Sequence, residues 1–473
     1  MKKFELNRRN FISALGALSG GLIAPKEMRA MSKKAAKVPP MPPVDGSPIV
    51  PITSGLGSTD IYAELGVTPL INIVGTVTVI GGSVMRPEVM ELIRQGNQHF
   101  CIIDELEVAA GKWIAKLCKA PEGYTGLVTG GCAAALVVGY SGMMTEDWEA
   151  RLKMIPDMSD KTLFPKNEVI IQKSHRYNFD HQIRQTGAKL VEVETREEMI
   201  AAINPRTVAI HFTNIQSNSG KVSGPETVEI AKAHGLYTFC DASADVPPKE
   251  RLWEYPAVGF DIVAFSGGKD ICGPQASGVM IGKEKLLNWA LHNMSPQEDR
   301  IGRSSKVGKE TLFGFLKALE IFVNQDYDAV LRGYDARAQT VTDALAKFGV
   351  TAGPRQFNPN ALGNVSPHYS WKIDSTKVKL TAQDVMQKLA DTRPVGIGSF
   401  GAGAAGMRGR QSEAEQAAMA ARRGGGAGGQ RRGGGRGAAD PYTFGFSTWL
   451  LKPGEDKIIA DRLVEIFSEA PKA

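Results

Sequence analysis

The sequence is poor in cysteine and has no arrangement of cysteines that does chemistry. Cys101, Cys118, Cys132, Cys240 and Cys272 stand far apart, none forms a C-x-x-C pair, and no histidine sits at a metal-ligand interval from them. That excludes a zinc site and a disulfide framework and leaves buried thiols. Long apolar runs are missing too. The apolar stretch from Phe11 to Ala24 is too short to span a bilayer as a stable helix. A net positive charge is absent from the body of the chain: the net charge is +6, but residues 1–40 carry +7 and residues 398–438 carry +5, which leaves −6 for the rest. A basic nucleic-acid face is therefore not what the charge balance implies.

What is present is concentrated at the ends and in a regular middle. Asn7-Arg8-Arg9-Asn10-Phe11-Ile12, followed by the short apolar run, resembles a twin-arginine export signal, with Asn7 where Ser or Thr is usual and no clean A-x-A site after it. Residues 1–30 are expected to be this signal segment and residues 31–59 a Pro-rich linker. The twin-arginine machinery would then carry a folded protein to the periplasm or beyond. At 473 residues the chain has room for a large domain and a smaller partner. We place these at 60–325 (with an N-terminal arm) and 326–473.

From Asp60 onward the pattern alternates. Pro87 to Phe100 and Asp104 to Ala120 carry apolar residues at helical spacing. Glu168–Gln172, Lys189–Val193, Val208–Phe212 and Leu236–Asp241 read as strands, with helices at Asp180–Thr186 and Val228–His234. Repeated strand-helix units predict an α/β fold with a mainly parallel sheet covered on both faces, whose ligands sit at the carboxyl ends of the strands.

Three strand ends carry chemistry. Thr129-Gly130-Gly131-Cys132 follows a short apolar strand and opens an Ala-rich helix, which offers free backbone N–H groups to an anion; a turn of small residues chosen for packing would read the same way. Asp241 ends the second strand. Lys269 follows the next, in Ser266-Gly267-Gly268-Lys269, 28 residues on. A lysine held in a glycine turn suits an amine that must be rigidly placed to form an imine. An anion cradle, a carboxylate to keep a pyridine nitrogen protonated and an imine-forming lysine are the three parts that pyridoxal phosphate requires.

The chain resembles the selenocysteine synthase-like branch of fold-type I pyridoxal phosphate enzymes, the group that includes L-seryl-tRNA(Sec) selenium transferase and D-glucosaminate-6-phosphate ammonia lyase. The motifs that carry the resemblance run in order from Leu65-Gly66-Val67-Thr68-Pro69 and Gly81-Gly82-Ser83 through Val128 to Ala135, Cys240 to Pro248, Ser266 to Lys269 and Cys272 to Gly278, to Ile301-Gly302-Arg303 and Lys306 to Glu310. The resemblance implies that Lys269 bonds the cofactor, that Asp241 holds the pyridine nitrogen, and that Thr129, Gly130, Gly131, Cys132 and Ser266 bind its phosphate. It implies that His175 lies over the cofactor face, and it offers Arg300 and Arg303 as contacts for a substrate carboxylate or phosphate. A homodimer or larger assembly is implied, because such enzymes build the site between subunits.

Two departures stand out. The family's Thr-Ser-Gly-Ala-Ala is Thr129-Gly130-Gly131-Cys132-Ala133 here, one hydroxyl short, and about forty residues rich in Gly, Ala and Arg interrupt the small domain at 398–440. That insertion is expected to lack a core of its own, and its Arg-Gly runs contain no aromatic residue for RNA stacking. The expected activity is removal of an α-proton and β-elimination from an amino acid or amino-sugar acid, an ammonia-lyase-like reaction. The alternatives are β-replacement of the selenium-transferase kind, transamination, and, outside enzymes, an RNA-binding or scaffold protein using the Arg-Gly segment. No metal is expected.

Overall fold

Strands whose residues are apolar on both faces must be covered on both sides, and the computed structural model arranges them in that way. It describes residues 60–356, 366–391, 396–398 and 440–473; the signal segment, the Pro-rich linker and nearly all of the Gly/Arg-rich insertion lie outside the described residues. Strands are numbered in chain order: β1 (Leu70–Asn72), β2 (Tyr124–Thr129), β3 (Glu168–Gln172), β4 (Lys189–Val193), β5 (Thr207–Thr213), β6 (Tyr237–Asp241), β7 (Ile262–Ser266), β8 (Gly278–Lys283), β9 (Thr351–Ala352), β10 (Tyr369–Lys372), β11 (Gly396–Gly398) and β12 (Thr443–Phe446). Every residue of β3 and β5 is buried, as an interior parallel sheet requires.

The main sheet has seven strands in the order β2-β8-β7-β6-β5-β3-β4, and β8 alone runs antiparallel to its neighbours. All the other carboxyl ends therefore lie along one edge, where β2, β5, β6 and β7 deliver Thr129, Thr213, Asp241 and Ser266. The register sharpens this. Gly278 at the start of β8 pairs with Thr129 on one side and Ser266 on the other. These two residues thus share a row with backbones about 9–10 Å apart. A side chain on Gly278 would not fit, since its Cβ would stand 2.8 Å from the backbone of Gly131.

The helices that matter here are α1 (Pro87–Gly96), α2 (Ile103–Leu117), α3 (Cys132–Thr145), α4 (Gly224–Ala233), α5 (Arg251–Val258), α6 (Glu284–His292), α7 (Lys309–Asn324), α8 (Tyr327–Leu345), α9 (Ala382–Ala390) and α10 (Glu455–Ser468). α3 is buried almost throughout, because it lies against the sheet. α4 begins four residues before the expected Val228. Ser223 and Glu226 form a capping box that satisfies the first turn, and Pro225 sits within that turn.

A second core lies around α8, α9, α10 and the antiparallel sheet β12-β10-β9, with Trp371 packed against both Phe444 and Phe446. Ile71 and Ile73 belong to this core, and β1 pairs in parallel with β11. The N-terminal arm assigned to the large part thus contributes a strand to the small one. The join expected at 325/326 falls between α7 and α8. Among the described residues no helix is long and apolar enough to cross a membrane.

Candidate active site

The anion cradle forms where β2 ends. Gly131 adopts φ +109°, a conformation that side chains avoid, and a Cβ added there would meet nothing within 4 Å. α3 starts at the next residue with no side chain capping it, so its first N–H groups are left for an external acceptor. Thr129 shapes this turn, since its hydroxyl donates to the Gly131 carbonyl at 3.0 Å. The loop after Arg303 covers the other side, with the Ser305 carbonyl 3.2 Å from where a Cβ on Gly130 would stand. Cys132, the first helical residue, lies among burial effects and the charge of Asp241 that both push its thiol well above the ordinary range.

The lysine turn is built by backbone bonds. Gly267 N–H donates to Ser277 O (2.9 Å), Gly273 N–H to Gly267 O (2.8 Å) and Cys272 N–H to Lys269 O (2.9 Å). Its two glycines are required by packing: a Cβ on Gly267 would lie 2.2 Å from Ser277 Oγ, and one on Gly268 would lie 2.6 Å from Gln275 O. Lys269 is half-buried and makes no ion pair among the described residues. Ser266, in the same row as Thr129 with β8 between them, is half-buried at the end of β7.

Asp241 is buried at the end of β6. One carboxylate oxygen accepts Ser243 N–H at 2.9 Å and the other accepts the Tyr177 hydroxyl. Tyr177 in turn stacks on His211 (5.9 Å between centroids, 16° between planes). A hydrogen-bonded chain fixes that histidine: Tyr140 Oη lies 2.8 Å from its Nδ1, its Nε2 lies 3.1 Å from Thr213 Oγ1, and the Thr213 hydroxyl donates to His175 O at 2.9 Å. Because the threonine proton is committed to His175 O, the network assigns the His211 proton to Nε2.

The structure places His175 differently from the expectation. It is fully buried, its Nδ1 accepts Thr213 N–H at 3.3 Å, and its ring meets Phe212 edge-on at 4.7 Å. Gly220 must be glycine to admit it, since a Cβ there would sit 2.5 Å from His175 Nε2. A ring with no exposed face has none to offer a ligand. The reason is local: Lys173–His175 forms a 3-10 turn that tucks His175 inward, and the extended backbone at Arg176 then carries Tyr177 toward Asp241. Arg300 is engaged by Glu149 at 2.8 Å and by the carbonyls of His292 and Asp299. Arg303 has no ion pair among the described residues and lies two residues from the Ser305 contact with the cradle.

A further buried set borders the same edge. Asn214, just after β5, donates from Nδ2 to Asp245 Oδ2 at 2.7 Å and lies 3.0 Å from the Tyr255 hydroxyl. Sequence reasoning passed over Tyr177, Asn214 and Asp245. Their signal was position alone, each lying a few residues beyond the end of β3, β5 or β6.

Burial pushes His175 down to about 3 and His211 down to about 4, so both rings stay neutral in the folded protein while the unfolded chain protonates them below about 6.5. The stability they contribute is full above pH 6.5 and is lost as pH falls toward 4, at up to about 1.4 kcal/mol per pH unit for each ring. Asp245 and Glu107, pushed up to about 7 and about 8 by burial, act in the opposite sense. The informative quantity is therefore a difference between proteins. Between pH 7 and 5 the melting temperature of His175→Gln should fall less than that of the wild type, and equal slopes by calorimetry would contradict a buried neutral His175.

These residues fit pyridoxal phosphate: an uncapped helix N-terminus with an open glycine suits its phosphate, a buried carboxylate suits its pyridine nitrogen, and an unpaired amine suits its aldehyde. A family model described as aminotransferase class-V matches residues 151–298. The D-glucosaminate-6-phosphate ammonia lyase of Salmonella typhimurium is 28% identical over 342 residues, 70% of this chain and 86% of that protein. An L-seryl-tRNA(Sec) selenium transferase of Serratia proteamaculans is 31% identical over 159 residues, 30% of this chain and 33% of that protein. The solved structure of a D-glucosaminate-6-phosphate ammonia-lyase matches with a TM-score of 0.68 at 24% identity, covering 87% of this chain and 99% of that one.

Proposed function

We propose that this fold-type I pyridoxal phosphate enzyme is a lyase that removes the α-proton and then a β-substituent from an amino acid or amino-sugar acid, releasing a keto acid and ammonia. The observation that carries the reading is the match to an ammonia lyase along 86% of that relative's length, with Thr129, Asp241, Ser266 and Lys269 brought to one sheet edge. When bound, pyridoxal phosphate supplies an aldehyde for the imine with Lys269 or with the substrate amine, and a ring that withdraws electrons from the α-carbon.

The chain's own groups do the rest. N–H groups at the start of α3, with Gly130 and Gly131, hold the phosphate dianion, and Ser266 Oγ lies in the same row as Thr129. Asp241, whose two oxygens accept the Ser243 N–H and the Tyr177 hydroxyl, would accept the pyridine N–H. Tyr177, rather than His175, presents an aromatic ring at this edge. Lys269 Nζ would bond the cofactor aldehyde and, when free, would be the base for the substrate's α-proton. Arg303 is the arginine offered to a substrate anion, since Arg300 is committed to Glu149.

The second reading, β-replacement, is supported by the likeness to a selenium transferase, which spans 33% of that protein. Transamination is the third. A screen of D- and L-amino acids and amino-sugar acids separates them. A lyase yields keto acid plus ammonia from one substrate alone; a requirement for a second keto acid, or for an added nucleophile, would overturn the lyase reading. A homodimer is part of the proposal, supported by apolar side chains exposed at Val84, Met90, Phe100 and Ile102; light scattering of the purified enzyme tests it, and a monomer mass would refute it. Export by the twin-arginine route is the remaining part, supported by Arg8-Arg9 ahead of a short apolar run. Cell fractionation tests it, and a wholly cytoplasmic pool would refute it.

A further inference from the structure

Asp245 is a fully buried carboxylic acid to which the reaction above gives no task. It lies four positions after Asp241, and the chain between them turns back so that Asp245 N–H donates to Ala242 O at 3.1 Å. Its Oδ2 accepts the Asn214 amide at 2.7 Å, and its Oδ1 has no hydrogen-bond partner among the described residues. Leaving such an oxygen dry costs about 1–3 kcal/mol, so a framework role alone does not account for an acid at this position.

The groups facing Asp245 come from every element around it. Asp241 and Cys240 stand on β6, Lys269 follows β7, Arg251 and Tyr255 stand on α5, and Cys132 opens α3; each is within electrostatic reach of its carboxyl. Arg251 also donates to the Asp245 backbone carbonyl, which fixes the carboxyl's root. The acid thus lies buried just past the strand end that delivers Asp241, with one oxygen tied to Asn214 and the other without a hydrogen bond among the described residues.

We propose that Asp245 is a positioning residue: its carboxyl fixes the Asn214 amide at the sheet edge and sets how readily the Lys269 nitrogen holds a proton in the assembled site. Burial pushes Asp245 up to about 7, so its charge changes near neutral pH. Its ionised form favours a protonated nitrogen at Lys269; its neutral form does not.

The inference rests on Lys269 being the imine lysine, and the test separates the two. The visible absorbance band of the holoenzyme is titrated with pH in the wild type and in Asp245→Asn and Asp245→Ser, and coenzyme content is measured per chain. Loss of the carboxylate should lower the apparent pKa of the band by about one unit. The acid limb of kcat/KM should move with it. A band with an unchanged pKa in a variant that retains its coenzyme overturns the proposal. So does failure of both variants to fold or to bind pyridoxal phosphate, because Asp245 would then belong to the framework. A wild type with no band that borohydride bleaches would instead sink the reading of Lys269.

Discussion

Lys269→Ala is expected to lose the visible band that borohydride bleaches and to lose activity by at least about 10²–10⁴-fold, the range associated with a positioned proton-transfer group. Two functions depend on the same Nζ. One is the covalent tie to the cofactor aldehyde; the other is removal of the α-proton once the substrate amine has displaced the lysine. The substitution removes both and leaves the phosphate cradle untouched, because the turn is closed by the backbone of Gly267, Lys269, Cys272 and Gly273 together with Ser277. The variant should therefore fold and still bind pyridoxal phosphate non-covalently. Circular dichroism, coenzyme content and turnover check the three statements, and full retention of activity would refute the assignment.

Asp241→Asn should lower kcat by roughly 10²–10³-fold, the cost of removing one preorganised electrostatic contact at a reacting centre, with a smaller change in KM. The amide is nearly isosteric. Its oxygen can still accept Ser243 N–H, which now bonds Oδ1 at 2.9 Å. What it cannot do is present a second anionic oxygen: the NH₂ group would face the Tyr177 hydroxyl and, in the holoenzyme, the pyridine nitrogen. The ring would lose the charge that keeps its nitrogen protonated, and with it the capacity to withdraw electrons. Unchanged steady-state kinetics would contradict this role for Asp241.

Much of the architecture could be read from the chain because it is local. The positions of β3, β4, β6 and α3, and the residues that end β2, β6 and β7, follow from apolar runs broken by glycine or acid. The order of strands in the sheet is not local. Nothing in the spacing says that β8 inserts antiparallel between β2 and β7, yet that insertion places Gly278 between Thr129 and Ser266. The glycines before Lys269 illustrate a different limit. They suggested a ligand cradle, whereas their immediate cause is close contact with Gln275 and Ser277.

His175 and Tyr177 show how two residues of separation decide a site. Both follow β3 and both are aromatic, and periodicity does not distinguish them. A single 3-10 turn buries the first against Phe212 and delivers the second to Asp241. Arg300 shows the effect of a distant partner: Glu149, remote in sequence, engages the guanidinium expected to meet substrate. β1 joins the second core for a similar reason, through a pairing with β11 more than three hundred residues away.

The most direct test of a pyridoxal phosphate site centred on Lys269 is to reduce the purified holoenzyme with borohydride, digest it and locate the added pyridoxyl group by mass spectrometry. The account predicts the label on the peptide containing Ser266-Gly267-Gly268-Lys269, at Lys269. A label fixed at another lysine, or no label on a protein replete with pyridoxal phosphate, would contradict it.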